Sequence, residues 1–250
     1  MTFSIAMAGK GGTGKTTMAG LLIRFLVETG RKPVLAVDAD ANSNLNEVLG
    51  LEVFETLGNA REEMKKHVSI GMTKDVFMEM KLQQAVVEGD GFDLIVMGRP
   101  EGPGCYCAAN TLLSEYLDKL MKNYPYMVID NEAGMEHMSR LTTNNVDVLL
   151  VVSDPSKRGL EAAKRIRELA EELKLNIKQA YLLVNRVQDK GDETPDAFEA
   201  ATGMKLLGTI LEDELIREYD IKGIPTVKIP QDSKLWKRVS KAFERIFQGG

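Results

Sequence analysis

Cysteine is almost absent from this 250-residue chain: there are two, Cys105 and Cys107, with a single residue between them. So few thiols exclude the disulfide framework of a small secreted domain. The chain offers only two histidines, His67 and His137. It also lacks long apolar runs, and no stretch reaches the roughly 18 uninterrupted apolar residues of a membrane span. Met1 to Ala8 is apolar but short, has no basic flank and runs into a Gly-rich loop. No targeting segment is therefore expected, and the expected address is the cytoplasm, where thiols stay reduced. There is no excess of positive charge: 32 Lys and Arg face 37 Asp and Glu, for a net charge of -5. That balance argues against general nucleic-acid binding through phosphate neutralisation. Neither internal repeats nor low-complexity linkers occur.

What remains is an ordinary globular composition, 44% apolar and 28% charged, which rules out disorder and collagen-like chains. The length suffices to bury a full core without staples. Apolar runs of strand length recur at Phe3–Ala8, Pro33–Asp38, Phe92–Met97, Met127–Asp130, Val146–Val152 and Ala180–Val184. Several are near-continuous Val, Ile and Leu, as suits parallel strands covered on both faces. Helical spacing fills Thr16–Glu28, Leu112–Met121 and Leu160–Leu173. The alternation predicts an α/β fold, a doubly wound, mostly parallel sheet with helices on both faces, in one domain over residues 1–250. Residues 51–90 break the rhythm and read as a helical or irregular insertion without a strand. The 13 methionines are scattered and read as core filler. His67 receives no role.

The first run leads into Gly9-Lys10-Gly11-Gly12-Thr13-Gly14-Lys15-Thr16-Thr17. This matches the phosphate-loop pattern of P-loop NTPases from Gly9 to Thr16. Glycines let successive backbone N–H groups turn inward around phosphates, and the following helix aims its positive end at the same anion. Lys15 is placed to reach the β- and γ-phosphates, and the Thr16 hydroxyl to ligate magnesium. Val37-Asp38-Ala39-Asp40 closes the second strand, where an open α/β sheet binds its ligands. Its two carboxylates can hold Mg²⁺ or its waters and orient an attacking water, unless one of them, Asp38 above all, only caps the next helix. Asp130 closes another apolar run in the manner of a Walker B aspartate. Gly134, four residues on, can bring a backbone N–H close to a γ-phosphate. Asn185, with Arg186 beside it, ends a later strand and is placed for a purine edge, or is a strand-end turn residue. A guanine-selective N-K-x-D motif would need an acid where Gln188 stands, so ATP or ADP is the expected nucleotide.

Cys105 and Cys107 lie in a Gly- and Pro-rich loop, Gly98–Ala108. Thiolates suit zinc, copper(I), thiolate-bound nickel and iron–sulfur clusters. One C-x-C supplies two ligands, whereas a closed tetrahedral site takes four. The same loop on both subunits of a two-fold dimer would complete the set. Three other readings compete: small buried hydrophobes, a strained local redox pair, or a metal site shared with His137 in one subunit.

The G-K-G-G-x-G-K-T loop resembles the deviant phosphate loop of the MinD, ParA and nitrogenase iron-protein class. That resemblance implies a dimer in which Lys10 reaches the facing subunit's nucleotide and Asp40 orients the water. GRPEGPGCYC from Gly98 to Cys107 and DNEAGMEHM from Asp130 to Met138, with GKGGTGKTT and VDADAN, further resemble the CooC family, the nickel-insertion accessory ATPases of carbon monoxide dehydrogenase. This implies a homodimeric ATPase that binds a divalent metal, nickel or zinc, at Cys105 and Cys107 of both subunits. It would deliver nickel to carbon monoxide dehydrogenase or, as in a sister family, to acetyl-CoA synthase. Two rivals stand. A nitrogenase-type electron donor takes its two cysteines from separate loops. A MinD- or ParA-type positioning ATPase would use Ser233–Phe247, with its apolar stripe and interspersed Lys and Arg, as a basic interfacial helix. The same pattern fits a last helix packed on the sheet, and no membrane contact is the expectation.

Overall fold

A computed structural model describes residues 2–40, 42, 44–66, 74–98, 119–131, 145–188 and 194–248. Strand β1, Phe3–Gly9, sends Ile5 and Met7 to one side and Ala6 and Ala8 to the other, all fully buried. Period-two alternation with both faces apolar makes it a central strand. The same holds for β2 (Val34–Ala39), β4 (Phe92–Val96), β5 (Tyr126–Asn131), β6 (Asn145–Ser153) and β7 (Asn176–Val187). With β3 (Val86–Glu88) and β8 (Lys205–Leu211) they form an eight-stranded sheet in the order β3-β4-β2-β5-β1-β6-β7-β8. Every pairing is parallel except that of β3 with β4.

Helix α1 (Lys15–Glu28) and helix α8 (Lys234–Phe247) cover one face. On the other face, α5 (Lys157–Glu172) and α6 (Pro195–Thr202) pack near β6 and β7, while Leu57 of α3 (Leu57–Lys66) and Leu82 of α4 (Lys74–Ala85) pack near β2, β4 and β5. Short α2 (Leu45–Leu49) follows β2, and α7 (Glu214–Lys222) follows β8. The doubly wound expectation is met.

Two parts differ from it. The described part of residues 51–90 holds α3 and α4, and it also contains β3, where no strand is expected. Three half-exposed residues carry no alternation to detect, and the Gly89-Asp90-Gly91 turn that folds β3 onto β4, with Gly91 at φ +80° and the Gly89 N–H donating to the Phe92 carbonyl, was the available signal. Strand β8, an apolar run from Leu206 to Leu211, and helices α6 and α7 add a further βα segment beyond the expected strands. The expected Leu112–Met121 helix lies mostly outside the described residues.

The C-terminal helix packs inward. Leu235, Trp236, Val239, Phe243 and Ile246 are buried in the core around α1, and the Ser233 hydroxyl caps the helix by accepting from the Trp236 N–H at 3.1 Å. Arg24 of α1 stacks 3.9 Å from the Trp236 ring centre and donates to the carbonyls of Val227 and Ile229. The packed reading of Ser233–Phe247 therefore holds, and its apolar stripe is spent on the sheet. No helix among the described residues is long and apolar enough to cross a membrane.

Both sheet edges are blunt. Strand β3 is three residues long. At β8, Glu199 accepts from the Leu206 N–H at 2.7 Å and Arg245 donates to the Leu207 carbonyl at 2.7 Å.

Candidate functional site

Strand β1 lies between β5 and β6, whereas the chain next builds β2 beyond β5. Strand order thus reverses at β1, and the crevice at its carboxyl end is where such sheets take ligands. Gly9-Lys10-Gly11-Gly12-Thr13-Gly14 fills that crevice and leads into α1. Gly14 is the N-cap at φ +87°, with no side-chain cap, and α1 carries no acid in its first turn. The N–H groups of that turn have no partner within the helix and form a ready anion site. Thr13 is buried, and its hydroxyl closes the loop by donating to the Lys10 carbonyl at 2.9 Å. Lys10, Gly11 and Gly12 stay exposed.

Lys15 points under the loop. Its ammonium donates to Oδ1 of Asp130 at 2.9 Å, and the two side chains are 7% and 1% exposed. The second carboxylate oxygen, Oδ2, is buried without a hydrogen-bond partner among the described residues. Burial pushes the Asp130 carboxyl up from its ordinary range, while Lys15 and Thr16 pull the other way. Asp38 lies opposite Asp130 in the β2–β5 register. It is fully buried and pushed up to about 6, by burial first, against the pull of the Leu45 N–H, with Asp130 adding to the rise. Its Oδ1 accepts from the Asp40 N–H at 3.1 Å and its Oδ2 from the Leu45 N–H at 3.0 Å. Asp38 therefore organises the turn into α2. Asp40 sits half-buried at the start of that turn and accepts from the Asn42 N–H at 2.8 Å.

Asn185 enters from the end of β7. Its amide nitrogen donates to the Thr13 carbonyl at 2.9 Å, so it braces the phosphate loop. Arg186 follows at φ +58°, an unusual conformation for a residue with a side chain, beside an irregularity in the β7–β8 pairing. There it lines an open cleft of 830 Å³ with Gly14, Thr17, Asn185, Glu212, Arg217 and Asp220. Glu212, just after β8, and Arg217 and Asp220 of α7 belong to the βα segment that lies beyond the expected strands.

Asn131, next to Asp130 on β5, is buried as well. Its amide donates to the Met7 carbonyl at 2.8 Å, tying β5 to β1, and its oxygen is buried without a partner among the described residues. Cys105, Cys107, Gly134 and His137 lie outside the described residues. Among the described residues no group of three or more His, Cys, Asp or Glu comes together to hold a metal ion.

Gly14 leaves a test. A Cβ there would lie 2.5 Å from the Asn185 amide nitrogen on a backbone at φ +87°. Gly14→Ala is expected to break the Asn185 brace, cost about 2 kcal/mol and abolish the thermal shift that ATP produces. Adding Asn185→Ala should make the pair cost less than the sum of the two singles. Full additivity in urea unfolding would show that the two residues do not meet.

A reversed strand order, a glycine loop into a helix start and a lysine paired with a strand-end aspartate define a nucleotide-binding α/β protein of the phosphate-loop class. Comparison with known proteins agrees. Residues 4–227 match the CobQ/CobB/MinD/ParA nucleotide binding domain, and the chain belongs to that family. It is 45% identical over 247 residues, 97% of each chain, to an uncharacterized ATP-binding protein of Methanocaldococcus jannaschii. It is 32% identical over 234 residues, 88% of each chain, to the carbon monoxide dehydrogenase accessory protein CooC of Rhodospirillum rubrum. Among solved structures, the cell division ATPase MinD of Pyrococcus furiosus superposes with a TM-score of 0.75 at 27% identity, over the whole of both chains.

Proposed function

We propose that this protein is a homodimeric ATPase that binds a divalent metal as cargo and hands it to a nickel enzyme. The observation that carries the nucleotide half is the buried Lys15–Asp130 pair at the start of α1. Lys15 has its charge held beneath the loop, ready to exchange Asp130 for phosphate oxygens, with Gly11 to Thr17 around them. Asn185 and Arg186 would border the base. Magnesium fits the oxygen donors present: the Thr16 hydroxyl, the unpartnered Oδ2 of Asp130 and, through water, Asp38. When bound, that ion would neutralise charge on the β- and γ-phosphate oxygens. Asp40 would orient a water whose oxygen bonds the γ-phosphorus as the bond to the bridging oxygen of ADP breaks. Gly134 would meet the γ-phosphate by its N–H, and Lys10, exposed on the loop, would reach the partner subunit's nucleotide.

The metal half rests on Cys105-Tyr106-Cys107 and on the relative that serves carbon monoxide dehydrogenase. Two cysteines from each subunit make a four-thiolate site for nickel or zinc. The client would be carbon monoxide dehydrogenase or acetyl-CoA synthase. A positioning ATPase acting on a membrane through its last helix is less well supported, because the apolar face of α8 is buried.

Anaerobic titration with nickel and with zinc, in ADP, ATP or no nucleotide, under light scattering, tests this. One thiolate-ligated metal per dimer is expected. Cys105→Ser with Cys107→Ser should abolish metal binding and leave ATP affinity unchanged. Metal retained at one per dimer in that variant would refute the site.

A further inference from the structure

A second cleft, of 530 Å³, lies along β8 on the side of α8 and shares Leu211 with the cleft beside the phosphate loop. It runs between the edge strand β8 and helix α8, and its mouth is basic: Arg238, Lys241 and Arg245 line it. These three recur at helical spacing along α8, opposite the apolar residues that anchor the helix in the core. All three are exposed. Arg245 donates to the Leu207 carbonyl, which fixes its guanidinium at the groove wall and leaves most of its donors unused. Arg238 and Lys241 have no acidic partner within salt-bridge distance among the described residues. The one carboxylate in the groove, Glu199, is turned onto the Leu206 N–H. In a chain of net charge -5, a concave surface with three cations and one occupied carboxylate stands out.

We infer that the groove between β8 and α8 is a docking site for an acidic polypeptide segment of a partner protein. Shape and chemistry select that occupant. A bilayer is flat and takes cations from a convex face with apolar side chains beside them, whereas here the cations flank a groove and the helix's apolar residues are buried. A nucleic acid demands a longer positive track than one helix offers on an acidic chain. An added β-strand would need the outward N–H and C=O of β8, and those of Leu206 and Leu207 are taken by Glu199 and Arg245. What the groove offers is charge-assisted hydrogen bonding to carboxylates spaced along an extended segment.

The test uses the full chain and a fluorescein-labelled poly-glutamate peptide, followed by anisotropy at rising salt. Wild type should bind the peptide, more weakly as salt rises. Arg238→Glu with Lys241→Glu should weaken it about tenfold or more. Lys234→Glu with Lys237→Glu, the same charge change on the same helix outside the groove, should leave it within about twofold. Arg245 is left intact because it supports β8. No binding by wild type, or equal losses in the two variants, overturns the proposal. So does a sedimentation assay in which anionic phosphatidylserine vesicles, and not the peptide, depend on Arg238 and Lys241.

Discussion

Lys15→Met is expected to eliminate detectable ATP binding and, without nucleotide, to lower stability by about 3 kcal/mol at neutral pH. The first effect follows from the position of Lys15 in the phosphate loop. The second follows from what is left behind. Asp130 is 1% exposed, and among the described residues its Oδ2 lacks a partner and Lys15 is the opposite charge paired with Oδ1. Stripped of that charge, the carboxyl is either ionised and uncompensated or protonated at a cost. Burial already raises its affinity for a proton, so removing Lys15 raises it further, and acid relieves the penalty by neutralising the group. The deficit of Lys15→Met against wild type should therefore shrink as pH falls. Lys15→Met with Asp130→Asn should recover much of the stability and none of the ATP binding. Urea unfolding of the variants measures all of this, and a single variant as stable as wild type at neutral pH would show that the pair contributes nothing.

Asp38 sets the second large effect. Its carboxyl is pushed up to about 6 from an ordinary 3.8, so the folded chain holds this proton where the unfolded chain has lost it. Stability from this group is highest below the unfolded value, falls as pH rises through the interval from 3.8 to about 6, and stays low above it. The interval corresponds to about 3 kcal/mol. Asp38→Asn removes the titration. It also replaces one of the two acceptors for the Asp40 and Leu45 N–H groups with a donor, a penalty that does not vary with pH. Stability of the variant minus that of wild type should thus climb by about 3 kcal/mol between acid and neutral pH. A difference that stays flat across that range would remove Asp38 as a titrating group.

Much of the site was legible because it is local. The glycines of the phosphate loop sit within nine residues of each other, and their spacing encodes the turn and the helix start. Asp130 was legible as the end of an apolar run. Its pairing with Lys15 spans 115 residues and depends on β5 lying beside β1, which spacing does not encode. Asn185 shows the same boundary. Its position at a strand end could be read, but its hydrogen bond to Thr13, 172 residues away, comes from β6 holding β7 at one remove from β1. For Asp38 the sequence allows either a metal-side carboxylate or a helix cap, and only the bonds from the Asp40 and Leu45 N–H groups display the second role. Strand β3 escaped because three partly exposed residues have no period, and β8 because its apolar run is short and interrupted by Gly208 and Thr209.

The blunt borders of the sheet bear on how this protein behaves at high concentration. An open parallel sheet ends in two rows of backbone groups that invite another chain to extend it into a fibre. Here one border is three residues of antiparallel ribbon, and at the other Glu199 and Arg245 occupy two of the outward backbone positions. Among the described residues, both ends thus offer less free edge to sheet extension. Assembly is thereby left to the surfaces that carry side chains.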